Sequence, residues 1–199
     1  MHIAEGVISP PMLAVGAALA CAGTAIGLRR LDYDRLVSVG MLTSAFFVAS
    51  LVHVPVGVSS APLLGTGLMG VMLGWAAFPA ILVALLLQAL LFQYGGLVVL
   101  GVNASTMGFA AIVAHYAYRG LTAVWTGQTA RAVAAFVCGA LGVALAGVLT
   151  ALALAWTDEG FMAAAVALLV AHVPVMLAEG CITMFTVAFL ARVRPEVLA

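Results

Sequence analysis

Apolar runs of membrane length follow one another along nearly the whole chain, and this constrains the fold more than any other feature. A helix that crosses a bilayer needs roughly 20 predominantly apolar residues. Of the 199 residues here, 66% are hydrophobic and 7% are charged, whereas a soluble domain carries about 25% charged residues. No polar stretch is long enough to build a soluble domain. Residues 1–199 therefore read as one integral membrane domain, all-α and polytopic, with about seven transmembrane helices.

The breaks between runs set the expected spans. The first covers about residues 11–28, with Pro10 and Pro11 placed to start it, and a charged turn from Arg29 to Arg35 follows. The second covers about 36–54. The stretch Pro55-Val56-Gly57-Val58-Ser59-Ser60-Ala61-Pro62 reads as a loop. A glycine-rich third span covers about 63–78, and Pro79 opens a fourth that ends near Tyr94-Gly95-Gly96. The fifth runs about 97–118, and a polar stretch from Arg119 to Arg131 leads to a sixth ending near Trp156. The last apolar run, 161–193, exceeds one untilted span, and Pro174 and Gly180 are placed to kink or break it.

Charge gives the orientation. There is no lysine. With seven spans and the amino terminus outside, Arg29, Arg30, Arg35, Arg119, Arg131, Arg192 and Arg194 all fall on the cytoplasmic side. The carboxyl terminus is then cytoplasmic too. Residues 1–10 lack the basic region of a cleavable leader. No basic cluster points to nucleic acid, and no phosphate-binding loop is present. Cys21, Cys138 and Cys181 are scattered in apolar runs without metal-ligand spacing.

The chain opens Met1-His2. Histidine is too large to favour removal of the initiator methionine, so a free Met-His end is expected. The terminal amine, the His2 amide and the His2 imidazole can close two fused chelate rings on one ion. Nitrogen-rich, square-planar chelation suits Ni(II) and Cu(II), with Co(II) a weaker fit. His53 ends the second span and shares the side and level of Met1 and His2, so it can offer a fourth nitrogen or simply cap a helix end. His115 reads as a snorkelling or packing residue. His172 and Glu179 lie seven apart on one helical face; they read as a proton path, a second metal shell or a buried structural pair. Ala14, Ala18 and Ala22 recur every four residues in the first span, a spacing that lets helices approach closely in lipid. That stripe suits packing inside the protein or docking of another membrane subunit.

The opening Met1-His2-Ile3-Ala4-Glu5-Gly6 resembles that of the nickel/cobalt substrate-binding (S) components of energy-coupling-factor transporters, the CbiM/NikM family. The segments Gly65-Thr66-Gly67-Leu68, Leu86 to Phe92, Gly95-Gly96-Leu97, Leu100-Gly101 and Asn103 are similar to its central block. Glu179-Gly180 and Arg192 to Glu196 are similar to its tail. The resemblance covers essentially the whole chain. It implies a seven-helix protein of the prokaryotic plasma membrane whose amino terminus reaches inward to hold the transported ion, Ni(II) or Co(II), with no separate cofactor. It also implies partners: a transmembrane coupling protein, two cytoplasmic ATPases and, in some assemblies, a small accessory membrane subunit. Ala14, Ala18 and Ala22 would face the coupling protein. One departure stands out. Where the family places a loop histidine, this chain has Pro62, which has no side-chain donor. His53 is the expected substitute, and Ser59, Ser60 and Asn103 are candidates to orient an imidazole. Two rivals remain: an S component for an organic or vitamin-type solute, and a membrane metalloenzyme or chaperone using His172 and Glu179.

Overall fold

The computed structural model describes residues 3–56, 59–62 and 65–195. The helices are α1 (Pro10–Arg29), α2 (Leu36–Ala49), α3 (Thr66–Leu73), α4 (Ala77–Phe92), α5 (Leu100–Val124), α6 (Gln128–Thr157) and α7 (Met162–Val193). The helical class is borne out, with one amendment. The loop expected between the second and third spans is an antiparallel hairpin, β1 (His53–Val56) with β2 (Ser59–Pro62). Pro55 and Pro62 each lack an N–H, and the hairpin has only two strands, so each proline sits on an edge where no ladder donor is required. The helix in this region, α2, accordingly ends at Ala49 rather than Val54.

Among the described residues, four helical stretches are long and apolar enough to cross a membrane: Pro10–Arg29, Thr66–Phe92, Gln128–Thr157 and Glu159–Val193. The chain is a membrane protein. The stretch Thr66–Phe92, however, is not one straight rod. Gly74 adopts φ +55°, open to glycine but strained for other residues, and a single 3-10 turn, Gly74–Ala76, follows. Along α5, Gly70 abuts Ala111 and Gly74 abuts His115, but Phe78 lies against Gly108 and Phe109. The chain therefore descends beside α5 as α3, reverses at Gly74 and climbs back as α4. The last helix is not broken. It runs 32 residues with Pro174 inside it, since neighbours in a bundle satisfy the backbone groups a proline frees.

Small residues seat α3 in the centre. A Cβ on Gly67 would come within 2.5 Å of Gly139 Cα and 2.6 Å of Cys138 O, and one on Gly142 would meet Gly67 Cα at 2.6 Å. On α1 the buried small residues are Gly16, Ala20, Gly23 and Gly27; Gly16 meets Val102 and Gly23 meets Phe78. We expect Gly67→Ala to destabilise the protein by about 1–3 kcal/mol, because backbone on α6 must move to admit one methyl. Thermal unfolding in detergent measures this, and an unchanged midpoint would contradict the close α3–α6 seam.

Candidate functional site

The amino-terminal segment is tied into the bundle at three places. Ile3 is fully buried. Its N–H donates to Asn103 Oδ1 at 3.0 Å, and Asn103 Nδ2 donates to its carbonyl at 3.3 Å. A side-chain amide carries donor and acceptor side by side, so Asn103 holds both backbone groups of Ile3 as a neighbouring strand would. Asn103 stands in the first turn of α5, and it is 2% exposed. Next, the backbone N–H of Val98 donates to Glu5 Oε1 at 3.0 Å. Gly96, at φ +129°, lies so close to Glu5 that a Cβ there would collide with the carboxylate. Finally, the Ser9 N–H reaches Thr157 Oγ1 at 3.4 Å, at the end of α6. The Ile3 side chain packs with Ile8, Val99, Val102, Leu154 and Leu168.

The hairpin meets the same helix that Ile3 meets. Both of its strands pack on α7, whose Leu168 belongs to the same buried cluster as Ile3. At the foot of the hairpin the Gly65 N–H donates to Glu179 Oε1 at 2.8 Å. Phe46 of α2 borders Gly65. Beside it, Gln88 donates to the Ser50 hydroxyl and to the Phe47 carbonyl at 3.1 Å. Along α7 the order is thus the Ile3 contact at Leu168, then His172 one turn deeper, then the Gly65 tether at Glu179.

His172 is 1% exposed. Its Nδ1 lies 2.6 Å from the Leu168 carbonyl. A carbonyl only accepts, so Nδ1 carries the proton in the neutral ring and Nε2 keeps its lone pair. Nε2 is buried and has no hydrogen-bond partner among the described residues.

The residues expected from sequence fall as follows. Met1 and His2 lie outside the described residues, next to the clamped Ile3. His53 stands on β1 directly opposite Pro62. Residues directly opposite in an antiparallel ladder occupy the same face, so position 53 and the position where a loop histidine was expected are cross-strand neighbours. Ser59 and Ser60 pair with Val56 and Pro55 in that ladder. Asn103, expected to orient an imidazole, bonds both backbone groups of Ile3 through its amide. The expected buried pair of His172 and Glu179 is not formed: one bonds Leu168 and the other Gly65, and two helical turns separate them. Ala14, Ala18 and Ala22 are exposed, so the interior-packing alternative for that stripe gives way to an outward face. His115 packs as expected, with Nδ1 3.2 Å from the Gly70 carbonyl. The backbone-anchoring roles of Glu5 and Glu179 were not foreseen; the only sequence signal was their pairing with glycine in Glu5-Gly6 and Glu179-Gly180. Among the described residues no three His, Cys, Asp or Glu side chains converge.

The profile of the family described as cobalt uptake substrate-specific transmembrane region, CbiM, matches residues 2–197. A Haemophilus influenzae protein named for metal transport is 42% identical over 200 residues, spanning 100% of this chain and 97% of that one. The cobalt transport protein CbiM of Sorangium cellulosum is 36% identical over 220 residues, spanning 100% and 94%. A solved structure, titled as that of a transition metal transporter, superposes with a TM-score of 0.84 at 27% identity, covering 97% of this chain and 93% of the other.

Proposed function

The chain belongs to the CbiM family of cobalt uptake transmembrane regions, a transport component and not an enzyme, and from that premise we propose that it is the S component that captures Ni(II) or Co(II) for an energy-coupling-factor importer. The ion is held by the Met1 amine, the His2 amide and the His2 imidazole. The observation that carries this reading is the double hydrogen bond from Asn103 to Ile3. Consecutive Cα atoms are about 3.8 Å apart, so a clamp on Ile3 restricts the whole chelating tip to the neighbourhood of α5 and α7. All three donors, amine, amide and imidazole, bind metal only without the proton that would block the lone pair, so loading releases protons and weakens as pH falls.

The fourth nitrogen comes from His53. Its register with Pro62 supports this: the donor is displaced across the ladder, not lost. Asn103 acts behind the ligands by fixing the residue that follows them. Ser59 and Ser60 sit on the strand facing His53. The buried His172, with Nε2 carrying a lone pair, is the second-shell acceptor. The arginine distribution supports an orientation with this end of the bundle outside and the arginine-bearing end in the cytoplasm. The exposed stripe Ala14, Ala18 and Ala22 is the face offered to the transmembrane coupling protein, and two partner ATPases supply the energy, in the prokaryotic plasma membrane.

Elemental analysis of purified protein tests this. Wild type retains about one equivalent of nickel or cobalt, His2→Ala retains none, and His53→Ala falls in between, since imidazole donors dominate such sites. Tight retention of an organic solute with no metal in any variant would favour the vitamin-type reading instead.

A further inference from the structure

The end of the bundle opposite the Asn103 clamp contains a cavity of about 590 Å³. Arg30, Arg35 and Arg119 line it, together with Trp75, His115 and Tyr118. No Asp or Glu is among its lining residues. A smaller cavity beside it shares Arg30 and Arg35 and includes Asp32, whose carboxylate accepts the Asp34 N–H at 3.0 Å. The seven positive and seven negative charges of the chain balance, so three guanidinium groups around one cavity are a local concentration.

Arg30 is held by aromatic groups. The Arg30 guanidinium lies 5.1 Å above the Trp75 ring and its Nη1 reaches Tyr116 Oη at 3.4 Å. Tyr116 Oη in turn accepts from Trp75 Nε1 at 2.9 Å. Such stacking fixes the fork while leaving its other N–H groups free to donate. Neither Arg30 nor Arg119 has a carboxylate partner among the described residues. His115 spends Nδ1 on the Gly70 carbonyl. A cation would be repelled here, so this cavity is no route for the cargo ion.

We propose that this cavity binds a phosphate-class anion, with the headgroup of an anionic phospholipid as its source. Arginine forks match phosphate oxygens in pairs. The adjoining surface is apolar: Leu36, Val37, Val124 and Trp125, next in sequence to Arg35 and the lining residue Ala123, are exposed. Acyl chains can lie there while the phosphate enters the cavity. Trp75 and Tyr116 flank Arg30; aromatic residues of this kind concentrate at membrane–water interfaces, and basic pockets between transmembrane helices on the cytoplasmic side suit such headgroups.

The test is lipid binding to the purified full chain in neutral detergent, read by native mass spectrometry and by thermal unfolding. Phosphatidylglycerol, phosphatidylcholine and inorganic phosphate are compared at matched ionic strength. Phosphatidylglycerol is expected to bind and stabilise selectively. Arg30→Gln and Arg119→Gln should each weaken it about tenfold or more, since each removes charge-assisted hydrogen bonds. Arg192→Gln, at the end of α7 and outside the cavity, should not. Arg119→Lys serves if the glutamine variant does not fold; it keeps the charge, loses the fork and should bind at an intermediate level. Equal response to inorganic phosphate, lost in the same variants, would support the anion site and assign it to a soluble phosphate. No preference for phosphatidylglycerol over phosphatidylcholine and no phosphate effect would overturn the proposal and leave the cavity to a protein partner. Metal retention should stay unchanged in all these variants, so failure here is separable from failure of the metal reading.

Discussion

Protein extended by a single residue ahead of Met1 should lose its nickel and cobalt. Every side chain remains, but the primary amine moves about 3.3–3.6 Å along the chain and a peptide nitrogen takes its place. The first chelate ring then has no amine. Loss of an outer-shell partner costs about 10–100-fold in metal affinity; loss of a direct donor in a fused chelate should exceed about 100-fold. The measurement is metal content after dialysis, with helical content by circular dichroism as the control for folding. Full retention by the extended chain would refute a site that requires the primary amine on Met1 itself, whatever its effect on transport. The result also separates this reading from one centred on His172 and Glu179, which an extension at the amino terminus would leave untouched.

Asn103→Ala should give the second large effect without removing any metal ligand. Ile3 is fully buried and both of its backbone groups bond Asn103. Alanine would leave a buried N–H and a buried C=O without partners, at about 1–3 kcal/mol each. The segment avoids that cost by leaving its site, and the chelating tip goes with it. We expect a 10–100-fold loss of metal affinity and a modest fall in thermal midpoint, because the bundle core of Phe78, Ile81, Met107 and Ala110 is not touched. Limited proteolysis should show new cleavage in residues 3–9. Unchanged affinity in this variant would mean that the tip is placed by something other than Ile3.

The membrane class, the helical architecture and most helix limits were legible because hydropathy reports directly on lipid. The central region was less so. The reversal at Gly74 depends on a positive φ, and apolar composition is the same on both sides of it, so no hydropathy pattern marks it. The hairpin was read as a loop because Pro55, Ser59, Ser60 and Pro62 are turn-forming residues. Its pairing depends on support from α7, which lies more than a hundred residues away. Asn103 was picked out, but its partner could not be: the bond to Ile3 spans 100 residues of chain. Glu179 was read as half of an ionisable pair by its spacing from His172. The nearest competing donor, the Gly65 N–H, is visible only once the hairpin is folded.

The glycine seam around α3 bears on how cargo could leave. Below the clamp, Gly67 touches Gly139 and Gly142, and Gly70 touches Ala111, backbone to backbone. Along these contacts there is no room for even a stripped cation, and widening the seam would separate several main chains at once. Interiors packed to this density switch between discrete arrangements and do not dilate. If the proposed site is right, an ion released past this seam would need the helices to move between discrete packings, because a gradual widening would part main chains already in contact.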